Sequence, residues 1–137
     1  MALRTSNIFV NLPIKDLKRT TEFFSSVGFE FNPQFTDEKA TCMVIGDNIF
    51  AMLLVEEYFA TFTKKDVANA HKTTEVILAL SAESREQVDA IVDKALAAGG
   101  KASNDPQDHG FMYVRSFEDL DGHLWEVMWM DPSAIQG

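Results

Sequence analysis

Apolar and polar residues alternate along Asn7–Ile14 (NIFVNLPI), with Ile8, Val10, Leu12 and Ile14 on one face and Phe9, Asn11 and Pro13 on the other. A period of two predicts a strand. Leu17, Phe23, Phe24 and Val27 then recur near helical spacing, with Asp16 in the N-cap position and Gly28 as a left-handed stop, so a short helix is predicted next. Three further strands are predicted at Phe29–Phe35, Ala40–Ile45 and Ile49–Val55, separated by Thr36-Asp37-Glu38 and Gly46-Asp47-Asn48. The first part of the chain therefore reads βαβββ.

Residues Glu56–Thr74 form a connector in which Thr63-Lys64-Lys65-Asp66 is expected to cap a short helix. The pattern then restarts. Glu75–Ala82 alternates, with Val76, Leu78 and Leu80 on one face, and Ser84-Arg85-Glu86-Gln87 has the form of a capping box. Val88, Ile91, Val92, Ala95 and Leu96 make the apolar stripe of the helix that follows, which Gly99-Gly100 ends. Lys101–Ser103, Phe111–Phe117 and His123–Met130 are predicted strands, the last two joined by a tight turn at Asp121-Gly122. The expected organisation is α+β: one domain over 1–137, made of module 1 (7–55), a connector (56–74) and module 2 (75–131), each module βαβββ.

The chain has 137 residues, 46% of them hydrophobic, which is enough for a buried core without disulfides. Its 21 acidic and 12 basic residues give a net charge of -9, which argues against nucleic acid and anionic membranes as partners. Cys42 is the single cysteine and, between Thr41 and Met43, reads as a buried strand residue. The start of the chain lacks the features of a secretory signal, and the longest apolar run, Ile49–Val55, suits a strand. A cytoplasmic protein is the expectation.

Three stretches, NIFVNLPIKDLKRTTEFF (Asn7–Phe24), EVILALSAESREQVDAIVDKALAAGG (Glu75–Gly100) and RSFEDLDGHLWEVMWMDP (Arg115–Pro132), together resemble the glyoxalase, bleomycin-resistance and extradiol-dioxygenase superfamily, also called the vicinal oxygen chelate superfamily. The resemblance covers nearly the whole chain, and DLDGHLWEV is its most specific piece. It implies that each βαβββ unit is a half-barrel whose cupped, mixed sheet lines a pocket, commonly completed in a homodimer. Members differ widely in function, so the fold alone does not assign one.

Metal-dependent members carry a histidine or glutamine on the first strand of each unit and a glutamate on the last. In this sequence those first-strand positions fall on Phe9 and Ile77, and the last-strand positions on Met52 (Leu54 if the turn is shifted) and Glu126. The resemblance thus retains a single ligand, Glu126. Glu75 shares the strand face of Ile77 and otherwise reads as a solvated strand end. Glu126 lies in an apolar strand with Leu124, Met128 and Met130 on its own face, so it either lines a pocket or has a partner. Tyr113 and Arg115 share a face of the preceding strand, where Arg115 either pairs with Glu126, receives an anionic substrate, or makes a purely structural ion pair. His71, His109 and His123 sit in the connector, a loop and a turn, and are expected to be exposed.

The expected function is metal-free binding of a small molecule in a largely apolar cup, similar to the bleomycin-resistance branch, with Asn11, Arg115 and Glu126 as polar anchors among Phe9, Met52, Ile77 and Tyr113. No cofactor is expected, and a divalent metal is disfavoured. The alternative is a glyoxalase-like lyase or isomerase, or a dioxygenase, with Glu126 as catalytic base or metal ligand. A third is an interaction module whose cup is filled by its own aromatic side chains.

Overall fold

The computed structural model describes residues 2–134. The chain divides into two compact units, Met1–Ala68 and Asn69–Gly137, each built around one mixed sheet. Among the described residues neither sheet closes into a barrel, and no helix is long and apolar enough to cross a membrane.

The first unit runs β1 (Ile8–Ile14), α1 (Leu17–Val27), β2 (Glu30–Asn32), β3 (Ala40–Gly46), β4 (Ile49–Val55) and a one-turn helix α2 (Glu56–Phe59). Its strands lie in the order β1-β4-β3-β2, with β1 parallel to β4 and the other pairs antiparallel. Helix α1 begins where the Asp16 carboxylate accepts from the Arg19 N–H, and it ends at Gly28, whose φ of 123° releases the chain into β2. Its buried face carries Thr20, Phe23, Phe24 and Val27, and Leu12, Ile14, Met43, Ala51 and Leu53 of the sheet are buried as well.

Two expectations for this unit are corrected. The strand expected at Phe29–Phe35 stops at Asn32, because Pro33 opens a 3-10 turn (Pro33–Phe35) that the Asn32 side chain caps by accepting from the Gln34 N–H. The helical residues of the connector precede Thr63: α2 and a 3-10 turn at Ala60–Phe62 follow β4 directly. Thr63 instead accepts from the Lys65 N–H across a local turn.

The second unit runs β5 (Ile77–Ser81), α3 (Arg85–Ala97), β6 (Lys101–Ala102), β7 (Gln107–Asp108), β8 (Met112–Glu118) and β9 (Leu124–Met130). The order is β5-β9-β8-β6, with β7 also on β8, and β5 is parallel to β9. The short strand β7 falls in a stretch without apolar alternation and is not predicted by the sequence pattern. Helix α3 is capped by Ser84, whose hydroxyl accepts from the Gln87 N–H, while the Gln87 side chain accepts from the Glu83 N–H. The reciprocal bond thus reaches one residue further back than in the usual capping box. Val88, Val92, Ala95, Phe117, Trp125 and Val127 form the core of this unit, with the Phe117 and Trp125 rings stacked at 6.3 Å.

Candidate functional site

Strand register decides which side chains share the face of the first sheet turned away from the buried Leu12, Ile14, Ala51 and Leu53. Asn11 is the partner of Met52, Pro13 of Leu54, Met52 of Cys42 and Leu54 of Ala40. Side chains directly opposed across neighbouring strands stand on one face. Over the floor made by Asn11, Ala40, Met52 and Leu54 rise two walls. The turn after β2 supplies Gln34, Phe35, Thr36 and Asp37, and the segment after β4 supplies Tyr58 and Phe62. The open cavity between them has a volume of about 380 Å³. Ligand sites of this size combine apolar walls with a few fixed polar groups.

The wall residues are held by their own hydrogen bonds. The Asp37 carboxylate accepts from the backbone N–H groups of Lys39 (2.8 Å) and Ala40 (3.0 Å). The Thr36 hydroxyl donates to the Asn32 carbonyl at 2.8 Å and lies 2.9 Å from the Thr41 hydroxyl. Tyr58 and Phe62 meet edge to face at 5.1 Å, and the Lys39 ammonium stands 5.9 Å from the centre of the Tyr58 ring. Among the described residues none bonds the side-chain amides of Asn11 or Gln34, so both offer a donor and an acceptor. Phe9 lies outside this cavity, half-exposed and stacked on Phe50 at 4.9 Å. Cys42 is buried, and burial pushes its thiol above the ordinary value.

Asn11 and Met52 therefore line a common cavity, whereas Phe35, Asp37, Tyr58 and Phe62 were not singled out by sequence reasoning. The sequence pattern puts Phe35 in a strand and Tyr58 and Phe62 in a connector. The available signals were Pro33 behind a capping asparagine and the four-residue spacing of Tyr58 and Phe62, which turns both rings the same way on a helical segment.

In the second unit, Glu126 pairs in register with Ala79 on one side and Ser116 on the other, on the face that also carries Leu124 and Met128. It is half-buried, and among the described residues no group bonds its carboxylate. Ile77 is partnered with Leu124 and is half-exposed, and Glu75 lies exposed just before β5 rather than within it.

Of the alternatives for Arg115, a pair with Glu126 is not formed. Arg115 stands opposite Val127, one residue out of phase with Glu126, so the pleat sends it to the α3 side of the sheet. There its Nη1 donates to Asp89 (2.8 Å) and Asp93 (2.9 Å), and the Tyr113 hydroxyl donates to Asp89 (2.7 Å). The bonds from Tyr113 and then Arg115 hold the Asp89 carboxyl below its ordinary range, and the same Asp89 bond raises the Tyr113 phenol. Beside them Arg85 grips Asp108 through two bonds of 2.8 Å and donates to the Gly110 carbonyl. Its guanidinium lies over the rings of Tyr113 (5.1 Å) and Trp129 (5.2 Å). The Arg85 bonds keep Asp108 well below the usual carboxylate range.

Of the three histidines, His71 and His109 are exposed as expected, with His71 Nδ1 3.7 Å from Glu118. His123 is buried, against expectation. The turn before β9 folds it inward, and the Asp119 carboxylate accepts from its N–H at 3.0 Å.

A divalent ion does not fit the positions at which the resemblance places metal ligands. Phe9, Met52 and Ile77 present no hard donor, and Glu126 alone supplies one carboxylate where a stable site needs several. Among the described residues no three His, Cys, Asp or Glu side chains cluster to hold a metal.

The chain belongs to the Glyoxalase/Bleomycin resistance protein/Dioxygenase superfamily, whose model matches residues 8–127 and so spans both units. The fold is similar to that of a hypothetical protein from S. aureus, at 26% identity and a TM-score of 0.77, over 92% of this chain and 95% of that one. It is also similar to TnmS3, an antibiotic binding protein from Streptomyces sp. CB03234, at 17% identity and a TM-score of 0.66, over 95% and 98% of the two chains. A third similar structure is a mutant of the fosfomycin resistance protein FosX from Listeria monocytogenes, in complex with Mn(II) and dihydroxypropylphosphonic acid. It shares 22% identity at a TM-score of 0.64, over 93% and 90% of the two chains. No curated protein matches the chain.

Proposed function

We propose that the protein binds a small molecule, without a metal ion, in the cavity on the open face of the first sheet. The observation that carries this reading is the cavity itself: about 380 Å³ between two walls, with an apolar floor and the unbonded amides of Asn11 and Gln34 facing in. Met52 stands in that floor, at a position where metal-dependent relatives need a hard donor, so the floor favours apolar contact over ion coordination. The antibiotic-binding relative supports the class of activity and does not name the ligand.

The test is a thermal-shift screen of drug-sized compounds against the protein and its Met52→Trp variant, which fills the cavity. A ligand at a hundred times its Kd stabilises by about 2.7 kcal/mol, a rise in Tm of about 10 °C for a chain of this size. Hits are expected to survive chelation with EDTA and to vanish in Met52→Trp. Failure of every compound, or hits that shift both proteins equally, overturns the proposal.

A second reading, catalysis of lyase, isomerase or dioxygenase type with Glu126 as base, is favoured by one observation. Glu126 is a half-buried carboxylate among apolar neighbours, with no bonded partner among the described residues. Stoichiometric metal in the purified protein that Glu126→Gln removes would establish this reading in its metal-dependent form and displace the metal-free one.

A further inference from the structure

Resting on the small-molecule reading above, we infer that the first unit's cavity selects organic cations carried on an aromatic body, with Asp37 as the charge-selecting residue and Phe35, Tyr58 and Phe62 as the wall that receives them. The described residues lining the cavity include the Asp37 carboxylate and no lysine, arginine or histidine. An anion entering this space would meet a like charge and no basic lining residue, whereas a cation would meet an opposite one.

The Asp37 carboxylate is also fixed in place. Its Oδ1 already accepts from two backbone N–H groups, of Lys39 and Ala40, so the carboxylate is oriented before any ligand arrives and its other oxygen remains to accept from an ammonium. The aromatic wall adds a second attraction for the same sign of charge, because ring faces carry negative potential. Within the chain that preference is already expressed, since the Lys39 ammonium lies over the Tyr58 ring at 5.9 Å. Phe35 and Phe62 are 59% and 63% exposed, so their faces remain open to a ligand instead of being absorbed into the core. Lys39 opposes an incoming cation; it is solvent-exposed, as Asp37 is, but its ammonium is engaged over the Tyr58 ring whereas the Asp37 carboxylate is fixed by backbone N–H groups. The net charge of -9 adds a long-range attraction of the same sign.

The experiment uses three anthracene derivatives of nearly equal size, bearing an aminomethyl, a hydroxymethyl or a carboxylate group, titrated by their fluorescence against the full chain. The aminomethyl compound is expected to bind about tenfold tighter than the hydroxymethyl compound, with the carboxylate weakest. Asp37→Asn keeps an acceptor for the Lys39 and Ala40 N–H groups while removing the charge. It should bring the aminomethyl compound to the affinity of the hydroxymethyl compound and leave the latter unchanged. Phe62→Leu, at a position 63% exposed, should weaken the aminomethyl compound about threefold. Equal affinities, a preference for the carboxylate, or indifference of the charge order to Asp37→Asn overturns the inference while leaving small-molecule binding intact. Binding of none of the three, together with an empty thermal-shift screen, overturns both.

Discussion

The indole Nε1–H of Trp125 donates to the Asp119 carboxylate at 2.9 Å, and both residues are buried at the hairpin between β8 and β9. The other carboxylate oxygen accepts from the backbone N–H groups of Asp121 and His123, so one side chain ties the turn to the largest residue of the second core. Removing it strands buried donors. Asp119→Ala is expected to lower stability by about 2–4 kcal/mol, measured as the shift of the urea unfolding midpoint, with Asp119→Asn costing less because it retains an acceptor.

The same carboxylate fixes the sign of a pH effect. Burial pushes the Asp119 pKa above its ordinary 3.8, although the charge of His123 and the bonds from Trp125 and the turn oppose the shift. A proton is thus held more tightly in the folded than in the unfolded chain. The corresponding stability is complete below about 3.9 and is lost as pH rises through the raised value. Urea midpoints measured at closely spaced pH values upward from about 4 should fall less steeply for Asp119→Asn than for the wild type. Parallel curves would show that Asp119 is ionised throughout.

Asp108 gives the opposite slope. Its bonds from Arg85 and from the Gly110 N–H hold its pKa well below 3.8, so their stabilisation is present above the unfolded pKa and is lost as pH falls through the folded one. Asp108→Asn should therefore match the wild type most closely in strong acid, fall behind it as pH rises toward about 4, and stay behind by a constant margin above that. A difference independent of pH would mean that the Arg85 grip does not act through the Asp108 charge.

Gly122 is expected to tolerate no side chain. Its φ of 89° lies in the left-handed region, and a Cβ there would stand 2.7 Å from the His71 nitrogen and 2.8 Å from the Ala70 carbonyl carbon, both backbone atoms. Gly122→Ala should lower stability by about 2–4 kcal/mol, because the strained turn and the clash add. Gly28→Ala, which meets no atom within 4 Å, serves as the comparison for backbone strain alone.

The regular elements were legible because their signals are local. The Asp16 and Ser84 caps, the Gly28 stop and the alternation in β1 and β5 each lie within a few residues of what they specify. The walls of the cavity were not, because Phe35, Asp37, Tyr58 and Phe62 belong to single turns and short connections too brief to leave a periodic pattern. For Arg115 the partner was hidden for a different reason. Its face follows from a register that aligns Ser116, not Arg115, with Glu126, and a one-residue choice between strands is invisible in either strand alone. Asp119 was hidden within the family-like DLDGHLWEV stretch, where attention to Glu126 passed over the acid that organises the turn.

Arg115 finally separates stability from binding. Its side chain is only 17% exposed, and its guanidinium sits between Asp89 and Asp93, two carboxylates one helical turn apart on α3. Arg115→Met preserves the length of the buried stem but leaves those like charges facing each other, with Asp89 keeping its bond from Tyr113. The expected loss is about 1–2 kcal/mol, near the low end for a covered arginine because Asp93 is 67% exposed and solvent screens it. Added salt should shrink the difference between variant and wild type. Because Arg115 is not among the residues that line the first unit's cavity, ligand affinity there should not change. An anionic ligand whose affinity falls in Arg115→Met while the unfolding midpoint stays put would return this residue to the binding site.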